Sequence, residues 1–121
     1  MNEKVIEQME KIAKKEGYKE ISINISKRRP LTIEGIKGSF TPEILCYIKG
    51  EIKAIMTFIK SLDEVEEFFK LTLFMDYVNK NDLSLYIAYD EERTSNEKII
   101  QKLVEEGIEI SKNINIVAIN L

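Results

Sequence analysis

Histidine and tryptophan are missing from this 121-residue chain, cysteine occurs once and proline twice. Without imidazole there is no Ser-His-Asp or Cys-His nucleophile system, no His-bearing zinc site and no histidine acid–base catalysis. Carboxylates, lysine, tyrosine, serine and threonine remain as groups that could carry chemistry. The lone Cys46 cannot close an internal disulfide, and no apolar leader follows a basic start, so the expected compartment is the cytoplasm. Long hydrophobic runs are missing too. The nearly apolar stretch from Leu71 to Met75 falls far short of the roughly 20 residues that cross a bilayer. Charge of one sign is also scarce: 32% of residues are charged, yet the net charge is only -3. Affinity for nucleic acid would therefore have to come from a local patch.

Apolar residues make up 44% of the chain, enough for a single core, so residues 1–121 are expected to form a single α/β domain. Abundant Ile, Lys and Glu with few Gln give the bias associated with hyperthermophile proteins, which an AT-rich genome also produces; a thermophilic source is the expectation.

Val5, Ile6, Met9, Ile12 and Ala13 recur at helical spacing between Lys and Glu, predicting an amphipathic helix that stops at Gly17. Ile21, Ile23 and Ile25 alternate with polar residues as in a half-buried strand. A turn at residues 27–30, a second strand through Leu31, Ile33 and Ile36, a third at 44–48 and, after Lys49-Gly50, a fourth at 52–59 complete a meander. Ser61 and Glu64 form a potential capping box for a helix reaching about Asn79. Residues 83–89 read as a strand buried on both faces, 95–106 as a capped helix ending at Gly107, and 114–119 as a last strand. A meander followed by alternating helices and strands predicts a central mixed sheet with flanking helices, in three layers. The second helix is apolar nearly all round from Phe68 to Met75, so it is either wedged between two layers or docks a partner; a homodimer through the helix around Phe68–Val78 is expected.

Three stretches sharpen the pattern. They are Gly38-Ser39-Phe40-Thr41-Pro42-Glu43-Ile44-Leu45, then Lys49-Gly50-Glu51-Ile52-Lys53-Ala54-Ile55, then Phe58-Ile59-Lys60-Ser61. Together they resemble the PD-(D/E)XK, or restriction-endonuclease-like, nucleases, whose core runs helix, three-stranded meander, helix, strand. In that family two carboxylates hold Mg²⁺ and a lysine serves the attacking water and the scissile phosphate. The resemblance implies that Glu43 is the first acid and metal ligand, and that Lys60 is the lysine. Phe58 falls at the second acid. Shifting the register by two puts Met56 there instead and Phe58 at the lysine, and on either alignment the central carboxylate is absent.

Each candidate has a plainer alternative. Glu43 would otherwise be a solvated strand entrance and Lys60 a surface lysine. Glu3, Glu7 and Glu10 could supply the extra acid that many family members carry on the first helix, or simply form its charged face. Lys27, Arg28 and Arg29 are the densest positive charge in the chain and could contact phosphates. Cys46, Tyr86 and Tyr89 read as core residues. Glu51, Asp63 or Glu64 could replace the missing acid from a neighbouring element. The expected function is a catalytically degenerate module that binds nucleic acid or acts as a scaffold; the alternatives are an active Mg²⁺-dependent nuclease with a relocated carboxylate, and a small α/β protein–protein interaction module.

Overall fold

The computed structural model describes residues 3–23, 33–35 and 38–121. Helix α1 (Glu3–Lys15) is followed by strand β1 (Glu20–Ile23), the short strands β2 (Ile33–Gly35) and β3 (Gly38–Phe40), then β4 (Ile44–Ile48) and β5 (Glu51–Ile59). Helix α2 (Val65–Asn81), strand β6 (Ser84–Asp90), helix α3 (Asn96–Glu105) and strand β7 (Ile114–Ile119) complete the chain. The main sheet has the order β1-β4-β5-β6-β7. Only β4 runs against the rest, pairing antiparallel with β1 and β5, while β5, β6 and β7 are mutually parallel. This is the expected mixed sheet in an α/β three-layer arrangement.

Parallel neighbours need crossover connections, and these are right-handed. Because β5, β6 and β7 step across the sheet in one direction, α2 and α3 are both laid on the same face. Ile55 and Ile59 of β5, Leu85, Ile87 and Tyr89 of β6, and Leu71, Phe74, Val78, Ile99 and Leu103 of the two helices form the core there. The opposite face is left to α1, whose Val5, Ile6, Met9 and Ala13 stripe packs over Ile44, Cys46, Ala54, Met56 and Ala88. Cys46 and Ala54 are register partners, and these small side chains leave room for α1 to lie close on the sheet.

Local chemistry explains the boundaries. Gly17 (φ 95°) ends α1 in the left-handed conformation that glycine adopts without steric cost, with Tyr18 N–H donating to the Ala13 carbonyl. Lys49 and Gly50 both have positive φ, the pairing that suits a two-residue hairpin turn between β4 and β5.

Two expectations are corrected. The second strand does not join the meander: Ile33–Gly35 instead pairs with Gly38–Phe40 as a separate two-stranded sheet. At three residues each, these strands are too short to span the main sheet, and β4 takes the place beside β1. Ser61 does not cap α2. Its hydroxyl accepts from Asp63 N–H at 3.2 Å in a turn, and the helix begins at Val65. Residues 24–32, with the Lys27, Arg28 and Arg29 cluster and Leu31, and Ile36 lie outside the described residues.

The all-round apolar character of the second helix has an internal explanation. Leu71, Leu73, Phe74, Met75 and Val78 are all buried within the chain, and β2 passes beside the helix. Of its large apolar side chains, Val65 and Phe69 stay exposed.

Candidate functional site

At the carboxyl ends of β5 and β6 the strands stop and the chain turns away toward α2 and α3, which leaves a cleft of about 520 Å³. Phe58, Lys60, Glu67, Asp90 and Arg93 line it, with Val5 contributed by α1. Open α/β sheets generally bind ligands outside the carboxyl ends of their strands. A second depression of about 330 Å³ adjoins it between residues 59–63 and α3, and its cations are Lys60, Arg93, Lys98 and Lys102. Lys60 and Arg93 line both.

Glu43 immediately precedes β4 and is 4% exposed. Its Oε2 accepts a hydrogen bond from Phe58 N–H at 3.0 Å. Since β4 begins only at Ile44, paired with Met56, the carboxylate supplies the acceptor that a longer strand would have offered. Lys70, on the face of α2 turned to the strand end, completes the arrangement. Its Nζ donates to the Phe58 carbonyl at 3.1 Å, stands 3.6 Å from Glu43 Oε1 and lies 3.0 Å from Glu67 Oε2. The contact to Glu67 is an ion pair outside hydrogen-bond geometry, leaving that buried oxygen without a donor. One ammonium thus serves two carboxylates and a strand end, as buried charge requires.

Asp90 closes β6, 8% exposed, with Oδ1 accepting from Glu92 N–H at 3.0 Å and Oδ2 3.8 Å from Arg93 Nε. These contacts tie the β6–α3 turn, and α3 then starts from Ser95, whose hydroxyl accepts from Lys98 N–H. Tyr18 and Tyr86 meet edge to face on the α1 side, 6.5 Å between ring centres, and burial raises the pKa of both phenols. Burial likewise pushes the Cys46 thiol up to about 12, leaving it protonated and inert at neutral pH.

The structure brings Glu43 and Phe58 together by a direct hydrogen bond and puts Lys60 on the rim of the cleft that Phe58 lines; Glu43 itself does not line it. Glu3, Glu7 and Glu10 do not line it; Glu10 pairs with Lys14 on the outer side of α1. Glu51 sits at the far end of β5 in an ion pair with Lys53, Asp63 lines the second depression, and Glu64 is exposed just before α2. The acid joined to Glu43 through Lys70 is Glu67. Neither Lys70 nor Glu67 was singled out from the sequence, although Lys70 is the one charge within the apolar run 68–75 and so must find a partner.

A Mg²⁺ ion does not fit these residues. The ammonium of Lys70 already lies between Glu43 and Glu67, Phe58 offers no oxygen ligand from its side chain, and no group of three carboxylate or thiol ligands occurs among the described residues.

The fold and site define an α/β three-layer domain with a polar, cation-rimmed cleft at the carboxyl edge of its sheet. Comparison with family models, with curated proteins and with solved structures gives no match. Among the described residues no helix is long and apolar enough to cross a membrane.

Proposed function

We propose that this chain is a catalytically degenerate, restriction-endonuclease-like domain acting in the cytoplasm as a nucleic-acid-binding or scaffolding module that self-associates. The observation that carries the reading is the buried Lys70 ammonium beside Glu43, where the family resemblance would put a metal; the same resemblance puts Phe58 at the second acid. Further support comes from the main-sheet elements, which with β2 and β3 inserted between β1 and β4 run α1, β1, β4, β5, α2, β6, a helix, a meander, a helix and a strand. The cations Lys60, Arg93, Lys98 and Lys102 border two adjoining depressions and could follow a phosphate backbone, with Lys27, Arg28 and Arg29 as a second contact.

Fluorescence anisotropy with labelled single-stranded, duplex and branched DNA, and with RNA, tests this. The expected result is binding that weakens steeply between about 50 and 200 mM salt and is reduced across sequences by Lys60→Ala/Arg93→Ala. No binding at about 50 mM salt would sink the nucleic-acid reading and leave an interaction module. A second reading, an active Mg²⁺-dependent nuclease, needs Lys70 to leave its place between Glu43 and Glu67; the buried Glu67 oxygen that lacks a hydrogen bond is the observation in its favour. Cleavage in Mg²⁺ or Mn²⁺ that disappears in both Glu43→Ala and Glu67→Ala would establish it.

A further inference from the structure

The sheet ends on β7, which pairs with β6 on one side and with no other described strand on the other. The carbonyls of Asn113 and Ile119 accept from Leu85 and Glu91 N–H, so odd-numbered residues of β7 turn their backbone groups toward β6. By the two-residue period, the backbone groups of Ile114, Ile116 and Ala118 point out of the sheet. Only Ile114 N–H is otherwise engaged, donating to the Ser111 carbonyl at 3.1 Å. Such an edge invites pairing, and proteins blunt it with lysine, proline, bulges or a covering element. None of those residue types occurs in 113–121, which holds no charged side chain at all. The opposite edge, β1, is four residues long and opens on Glu20 beside Lys19.

Helix α3 extends this surface. Ile99 and Leu103 face the core, while Lys98, Gln101, Lys102 and Glu105 face the depression beside residues 59–63. At 100° per residue, Ile100 and Val104 then point to the remaining flank, above β7 and away from α2. They are 38% and 62% exposed. Ile114, Ile116 and Ala118 direct their side chains to this same face, being register partners of Leu85, Ile87 and Tyr89.

We infer that β7 is the interface for a second copy of this chain, joined antiparallel about a two-fold axis at Ile116 to make one continuous ten-stranded sheet. An antiparallel edge is self-complementary: Ile116 meets Ile116 and Ile114 meets Ala118, forming about four backbone hydrogen bonds once the engaged Ile114 N–H is set aside. No like charges oppose one another, because the strand carries none. On the α3 face the Ile116 pair is flanked by Ile100 and Val104 of both copies. A specific interface generally clears about 1,000 Å² in total, so the strand pairing needs the helix flank beside it. The inference gives the self-association in the proposed function a surface, and it is independent of nucleic acid.

Light scattering on the full chain at about 100 µM, without nucleic acid, tests it in the range where an interface of this size should hold. The expected mass is twice that of the 14.1 kDa chain. Ile100→Lys/Val104→Lys, at exposed helix positions, should weaken the dimer at least tenfold with thermal stability maintained, and Ala118→Pro, which deletes an outward N–H, should do the same. If the proline variant fails to fold, the helix pair gives the answer alone. A wild-type mass of one chain overturns the inference, as does a dimer that survives Ile100→Lys/Val104→Lys but is lost in Val65→Lys/Phe69→Lys on α2. A monomer that still binds DNA would leave the nucleic-acid reading intact.

Discussion

Thr57 sits in the middle of β5 with no exposed surface, and its hydroxyl has no hydrogen-bond partner among the described residues. It shares the α2 and α3 face with Ile55 and Ile59, where the site is otherwise apolar. Burying an unpaired hydroxyl costs on the order of 1–3 kcal/mol, and valine has nearly the same shape. Thr57→Val is therefore expected to raise unfolding free energy by about 1 kcal/mol, read as a higher urea midpoint at unchanged m-value; a lower midpoint would mean the hydroxyl is satisfied. Cys46 makes a second prediction, one of pH. Its thiol moves from an ordinary 9.0 to about 12 because burial disfavours the thiolate, and burial raises Tyr18 and Tyr86 as well. Between pH 9 and about 12 the unfolded chain loses that proton while the folded chain keeps it, so stability is full below the lower value and declines as pH rises through the window. The melting temperature should fall above pH 9, and fall less steeply in Cys46→Ala; equal slopes would remove Cys46 as a cause.

At the scale of elements, periodicity carried most of the information. The Val5, Ile6, Met9, Ala13 stripe, the Lys49-Gly50 turn, Ser95 as the cap of α3 and the doubly buried β6 all follow from spacing that each element imposes on its own residues. What spacing does not encode is which strand pairs with which. Residues 31–38 read like another member of the meander, yet strand choice is decided by partners far away in sequence, and β4 with its longer apolar face takes the place beside β1. The same limit applies to the site. Glu43 and Lys60 could be named from local pattern; Lys60 borders the cleft, while Glu43 is buried and reaches it only through its hydrogen bond to Phe58. Lys70 and Glu67 come to Glu43 on a helix that starts after β5 has ended, so no fixed spacing links them to it. Only the sign of an isolated charge in an apolar run pointed toward Lys70. Ser61 misled for a related reason: Ser-x-x-Glu fits a cap, but the hydroxyl found a nearer donor in Asp63 and the helix started one turn later.

For the molecule as a whole, the two faces of the sheet are covered very unequally along the chain. From β5 onward, strands and helices that touch are neighbours in sequence, and α2 and α3 seal one face using residues 65–105. Among the described residues the other face depends on α1 alone, whose partners Ile44, Cys46, Ala54 and Met56 come after some thirty intervening residues. Detaching α1 would expose only its own layer and leave the larger core assembled. Helix α1 is therefore expected to open locally, at a free energy below that of global unfolding. Amide hydrogen exchange should show α1 exchanging through such a partial opening while β5 and β6 wait for complete unfolding, and uniform protection across the three would rule it out. In that partly open form the small-residue floor of Cys46, Ala54 and Ala88 becomes accessible, turning an otherwise silent thiol into a reporter of how often the chain uncovers itself.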